Sequence, residues 1–450
     1  MPDIMHAKKR GQIKESSGGL IVLCALCLLL MSSCAKDAAD SGVSDVTVTK
    51  EAVAEFNAKV SVHYIKISIA DFGDGFNHAR YQYPNSIPPW ELYDEEQILG
   101  FAENMIYLQN PDGGWAKNLD FQRKFSLQEL VDLQKANKSV APVTYQKKTD
   151  SNGSTIDNGN IFSQIKYLAQ VYKQVPKKRY LDCAVRALQW ILNAQHPVSG
   201  GFTGADVYAI TYNDDVMSET LRTLRNISRD DDLYGVFPAE MRTKAADAYT
   251  KGVECILKTQ ITLTLKDGTK ILTAWCQQHS HDTLQPVWAR EFEPPSVCTS
   301  ESAKVVNLLM EDDDPSDKMK KAIVAACKWF DCDDVRIHGK KIVSIPCSGE
   351  TLNGRYYDYE RKMVDDASAS DLWARFYALD SSFDVVTGAR KPIQGTYPEV
   401  NTPIWCDRGC KYCETYNDIS KERRNGYGYT VTTPNTTLKR FAGWKQKFGI

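Results

Sequence analysis

Several things are scarce in this chain of 450 residues. Basic charge is not in excess: 55 Lys and Arg stand against 57 Asp and Glu, for a formal net charge of -2. That leaves no bulk electrostatic footprint for nucleic acid. No hydrophobic run has membrane-spanning length, since the longest, at 20–31, is twelve residues and a bilayer takes roughly 17–25. Thirteen cysteines are too few at this length for a small disulfide scaffold. Alternation of apolar and polar residues between turn signals is sparse, which disfavours a sheet-based body. What is present is a 42% hydrophobic composition, enough for a real core and against wholesale disorder.

The short apolar run follows Lys8, Lys9, Arg10 and Lys14 and ends in Leu30-Met31-Ser32-Ser33-Cys34. A basic stretch, a short apolar core and small residues before a cysteine resemble a bacterial lipoprotein signal. Residues 1–33 are therefore expected to be removed and Cys34 lipidated, making the protein an exported outer-membrane lipoprotein, periplasmic or at the cell surface. The removed piece carries four positive and two negative charges, which leaves the mature chain near -4. Residues 34–58 read as a polar tether and 59–450 as one catalytic-size domain.

Within that domain the helical period dominates. Ile161, Ile165, Leu168 and Tyr172 recur at helical spacing, as do Leu181, Ala184, Leu188 and Ile191, and again Met319, Ile323, Ala326 and Phe330. A weak internal repeat joins the helices. Gln109 precedes Gly113-Gly114-Trp115, Gln195 precedes Gly200-Gly201-Phe202, and Gln260 precedes Asp267-Gly268 and Trp275. Helix, glutamine, glycine turn and aromatic form the grammar of stacked helical hairpins. The expected fold is all-α, an (α/α) toroid with a central cleft and minor irregular or β segments.

Four polar segments exceed the needs of connectors: Gly113-Gly114-Trp115-Ala116-Lys117-Asn118, Thr155-Ile156-Asp157-Asn158, Thr211-Tyr212-Asn213-Asp214, and the stretch from Trp275-Cys276-Gln277-Gln278-His279 to Ala289-Arg290-Glu291-Phe292-Glu293-Pro294-Pro295. Taken alone, Asp157 and Asp214 suit helix N-caps and Arg290 suits a structural ion pair. Together, carboxylates and cations on the loops of one scaffold suit a Ca²⁺ site that handles an anionic ligand.

With the late Glu422-Arg423-Arg424-Asn425-Gly426-Tyr427, these ordered motifs resemble family 10 pectate lyases, over about residue 95 to the C-terminus. The resemblance implies Ca²⁺-assisted β-elimination of polygalacturonic acid (pectin), and the chain is expected to be a monomer. It places the catalytic base on Arg290, metal ligands on Asp157 and Asp214, and substrate binding on Lys117 and Arg375. Asn158 and Asn213, next to the aspartates, are counted with the substrate-binding residues. For a second late substrate arginine, Arg390 and Arg408 both qualify. Arg408 is preferred because its Asp-Arg dipeptide precedes the Glu-Arg-Arg motif at the family's interval, with 378–398 read as an insertion. Gly159-Asn160 departs from the family at the start of a helix.

Two other motifs compete. Cys406, Cys410 and Cys413 have the spacing of an iron–sulfur site, but an exported chain with the motif near its end suits a disulfide or buried thiols better. Asp313-Asp314-Pro315-Ser316-Asp317, with the Gln109 repeat, resembles a terpenoid-cyclase-like toroid enzyme; the proline makes it a loop. A non-catalytic pectin-binding lipoprotein would use the same cations without turnover.

Overall fold

In the computed structural model, residues 48–83, 86–137, 153–385 and 392–450 are described. The signal segment, Cys34, most of the tether and Arg390 lie outside them. Residues 53–450 form one unit, and residues 48–52 belong to another.

The periodic segments fold as expected from their spacing. Helices α1 (Phe162–Gln174) and α2 (Lys178–Ala194) pack as one pair, and α3 (Val216–Arg229) and α4 (Ala239–Thr259) as the next. Ile165, Leu168, Ala184, Leu188 and Ile191 are buried, as are Met319, Ile323, Ala326 and Phe330 on α6 (Asp317–Phe330), which packs on α5 (Thr299–Met310). Ser316 caps α6 by accepting from the Met319 N–H at 3.3 Å, so the acidic run before it is a loop. Asp313 in that loop pairs with Lys447 at 3.0 Å.

The repeat has a physical basis. The Gln109 side-chain amide donates to the Gly113 carbonyl (2.8 Å) and to the Cys183 carbonyl in α2 (3.0 Å). Gln195 does the same to Gly200 (2.9 Å) and Ala248 in α4 (2.8 Å), and Gln260 to Thr273 (2.8 Å) and Ala322 in α6 (3.0 Å). Each glutamine closes its own turn and staples it to the backbone of a later helix. Gly113 (φ 97°) and Gly200 (φ 75°) have the left-handed backbone that admits glycine, and a Cβ at either would lie 2.5 Å from a carbonyl oxygen of that helix, Arg186 or Lys251. Trp115 and Trp275 then donate their indole N–H to the Met105 and Ile256 carbonyls near the ends of the preceding helices, at 2.8 and 2.7 Å.

The all-α toroid is not the fold. Among the described residues about 45% are helical and about 15% are in strands. After Phe330 the helical pairs give way to paired strands, chiefly a long antiparallel hairpin of β1 (Lys340–Leu352) and β2 (Arg355–Asp365). Its turn, Asn353-Gly354, has φ of 49° and 76°, the double left-handed geometry that matches strand twist. The hairpin left no period-two signal because almost all of β1 is open to solvent, so neither face is selectively apolar. Its register shifts between Pro346 and Glu350, which breaks the alternation further.

Behind the hairpin sits α7 (Lys421–Gly426), the late Glu-Arg-Arg motif. Asn425 accepts from the Arg361 N–H (2.9 Å) and donates to the Tyr359 carbonyl (2.7 Å), while Arg424 binds Glu360. The segment expected as an insertion leaves and returns at one point: Ala378 exchanges backbone hydrogen bonds with Thr402 and Asn401, both at 2.9 Å. Residues 386–391 within it lie outside the described residues.

Candidate active site

Two single-turn loops carry the acidic side chains. Asp157–Gly159 and Asn213–Asp215 pack against one another, with Asn158 at φ 57° and Asp214 at φ 49°. These are left-handed positions that Asn and Asp tolerate better than other non-glycine residues. Asn160 fixes the first loop from below, donating to the Trp115 carbonyl (2.7 Å) and the Thr155 carbonyl (2.7 Å). The residue that departs from the family thus ties the Lys117 segment to the Asp157 loop. Lys117 Nζ pairs with Asp157 Oδ2 at 2.7 Å. The Asp214 carboxyl is pushed up to about 8, by removal from water first and by the facing Asp157 second.

The opposing wall is cationic. Arg375, between two short strands, donates to Asn213 Oδ1 at 2.9 Å and pairs with buried Glu301. Burial works against its charge, but Glu301 leads the groups that hold its pKa above the ordinary arginine value. Arg290 gives Nε and Nη2 to Glu293, with the Nε bond at 2.7 Å. Glu293 is 2% exposed and also accepts from Gln277 (2.8 Å) and the Tyr427 hydroxyl (2.8 Å). Burial alone would raise the Glu293 carboxyl, yet the hydrogen bonds and charge of Arg290, the charge of Arg375 and the Gln277 hydrogen bond together outweigh it and bring it down to about 2. The Arg290 guanidinium is raised in turn, burial opposing and Glu293 prevailing.

Arg290, Arg408 and Arg423 surround one ring: their guanidinium carbons lie 5.1, 5.4 and 4.5 Å from the centre of Phe292. Arg375 and Arg290 share the Tyr427 ring at 4.6 and 5.8 Å. Arg408 is held by Glu422 at 3.0 and 3.1 Å, from a tight turn in which Gly409 and Cys410 both have positive φ. The three cysteines of the metal-like spacing are buried there without disulfides. A cavity of about 1310 Å³ opens between Arg290, Arg408 and Arg423 on one side and the β1–β2 hairpin on the other.

The structure therefore brings Lys117, Asp157, Asp214, Asn213, Arg375 and Arg290 into one neighbourhood, with Arg408 beside Arg290. Asn158 is turned to Asn118, donating to its side-chain oxygen at 2.8 Å. Reasoning from sequence overlooked Glu293, Tyr427 and Arg423, although all three stand inside the motifs; a carboxylate three residues from Arg290 was the available signal. Among the described residues no group of three or more His, Cys, Asp or Glu is arranged to hold a metal ion. Asp157 and Asp214 still fit a hard cation, because they offer oxygen donors only and their mutual repulsion is what such a cation relieves.

Carboxylates facing a cluster of arginines, beside a large open cavity, suit an enzyme that handles an anionic polymer. A family model of pectic acid lyases matches residues 109–393, and the chain belongs to that family. Two solved structures have a similar fold. One is a family 10 polysaccharide lyase from Cellvibrio cellulosa, 24% identical, covering 85% of this chain and 98% of its own, with a TM-score of 0.56. The other is an aspartate-to-alanine mutant of a family 10 lyase from the same organism in complex with trigalacturonic acid, 24% identical, covering 86% and 100%, with a TM-score of 0.57. No curated protein matches the chain.

Proposed function

We propose that this pectate lyase cleaves α-1,4-linked polygalacturonate by β-elimination, giving 4,5-unsaturated oligogalacturonides, with Ca²⁺ held by Asp157 and Asp214. The observation that carries the reading is Arg290 aimed from a buried Glu293 into a cleft walled by further cations. In the reaction a base takes the C5 proton of a galacturonate. The C–H electron pair becomes the C4–C5 double bond, the bond from C4 to the glycosidic oxygen breaks, and that oxygen leaves with a proton from water. The C5 proton is α to a carboxylate, so negative charge builds beside an existing one. Bound calcium would neutralise that carboxylate.

Arg290 is the base in this reading. Glu293 occupies Nε and Nη2, which leaves Nη1 as the nitrogen that exchanges the proton. A guanidinium resists deprotonation, so only a small neutral fraction reacts at neutral pH and the rate should climb with pH. Lys117 is the weaker candidate: lysine loses its proton far more easily than arginine, but Lys117 is tied to Asp157, one of the proposed metal ligands. Arg375 and Arg408 would bind flanking uronates through the guanidinium N–H groups that Glu301, Asn213 and Glu422 leave.

Export and lipid attachment at Cys34 are proposed from the signal sequence, with a monomeric mature chain. No described helix is long and apolar enough to cross a membrane. The test is a spectrophotometric assay on polygalacturonate. Formation of the ultraviolet-absorbing unsaturated product should vanish with a chelator, return with Ca²⁺, and be abolished in Arg290→Ala with binding retained. Turnover persisting in that variant would remove Arg290 as base. Binding without turnover in the unaltered protein would favour the non-catalytic pectin-binding alternative.

A further inference from the structure

The cavity beside Arg290 extends well past the residues that the elimination uses. Its far wall is the tip of the β1–β2 hairpin, and its floor is the segment that follows the helix Gly73–Arg80. There Arg355, the residue after the hairpin turn, places its guanidinium carbon 5.4 Å from the centre of the Tyr81 ring. No carboxylate pairs with Arg355 among the described residues. Tyr81 and Tyr356 are 60% and 66% exposed, large aromatic surfaces left in water on both sides of the same opening. The volume, about 1310 Å³, exceeds the roughly 300–1,000 Å³ of small-molecule sites.

Charge in the chamber points one way. Among the described residues, Arg290, Arg355, Arg408 and Arg423 line it with a single acidic side chain, Glu422. Glu422 is already shared by Arg408 and Arg423. The hairpin that brings Arg355 here is not a loose arm. Lys421 binds Glu350 at 2.6 Å on one strand, and Asn425 clasps the other. A rigid strut holding an unpaired cation and an aromatic face over an open cleft is a subsite for an acidic sugar: the arginine takes the carboxylate and the tyrosine rings take the pyranose face.

We propose that Arg355, Tyr356 and Tyr81 form an outer subsite that binds uronate residues of the same polygalacturonate chain beyond those held at the reacting bond. The assignment of the ligand rests on the pectate lyase reading. The outer subsite supplies affinity that grows with chain length and leaves the bond-breaking geometry to Arg290.

The test is calorimetric binding of a series of galacturonate oligomers, from the trimer to the polymer, to full-length Arg290→Ala protein in calcium buffer, where no turnover intervenes. With Arg355 intact, affinity should rise with length to a plateau. Arg355→Ala should bind long oligomers about tenfold more weakly and the trimer almost as before. Tyr81→Ala should lose the same increment, and Arg355→Lys should restore part of it. An unchanged thermal midpoint in each variant would show the fold intact. Parallel loss at every length, or none at any length, would overturn the outer subsite while leaving the lyase reading standing. Absence of binding at all lengths with Arg355 intact would overturn both.

Discussion

Glu293 illustrates how one buried carboxylate can set the behaviour of a neighbour. It is buried away from solvent, and three residues, Arg290, Gln277 and Tyr427, donate hydrogen bonds to its charge. The arrangement aims Arg290 and also raises its pKa, which opposes a role as base. Orientation and basicity are therefore in conflict at this residue, and Glu293→Gln separates them. The amide keeps one acceptor for Arg290 but loses the negative charge that favours the protonated guanidinium. The Arg290 pKa should fall, the neutral form should appear at lower pH, and the alkaline rise of kcat should shift downward on the pH axis. The plateau rate should drop on the order of tenfold or more as the side chain loses its second anchor. A pH–rate profile unshifted in the variant would show that Glu293 does not tune the base.

At the scale of elements, the helices were legible because each has one buried face and the period of that face is written in the apolar residues. The hairpin was not legible by that route. With both faces of β1 in water, the alternation that betrays a strand has nothing to select it, and only Asn353-Gly354 advertised the turn. The site was partly legible for a different reason. Lys117, Asp157, Asp214, Arg290, Arg375 and Arg408 stand in short ordered motifs, whereas the partners of each are fixed by tertiary approach. That Arg375 would meet Asn213, or that Arg423 would join Arg290 over Phe292, is written in no local spacing. The glutamine staples give this scale its prediction. Gln195→Ala leaves the Gly200 and Ala248 carbonyls without their donor and should lower stability by about 1–3 kcal/mol, read as a shift in urea midpoint at unchanged slope. A change within error would mean the turns are held by packing alone.

For the whole molecule, the distribution of charge matters more than its total. The chain is slightly acidic, yet Arg290, Arg355, Arg408 and Arg423 line one cavity, and Lys117 and Arg375 stand at the two acidic loops. A polyanion meets cations gathered in one region of a nearly neutral chain, which orients encounter as well as strengthening it. Raising salt from about 0.05 M to about 0.5 M shortens the screening length several-fold. Association with polygalacturonate should slow by about tenfold over that range, more steeply than association with the trimer. Stopped-flow rates that are flat in salt would show that the cleft cations do not steer the encounter.

The three glutamine staples have a consequence for how repetition is stored in a chain. Each reads only backbone carbonyls, so it is indifferent to which side chains the recipient helix carries. Helices α2, α4 and α6 can differ residue by residue and still be clasped in the same manner. The periodic construction therefore leaves its record in the joints, where a glutamine, and in the first two a glycine, must meet peptide groups, and erases it from the rods between them. A search for repeats in helix sequences would find little here, and one that aligned the corners would find the unit.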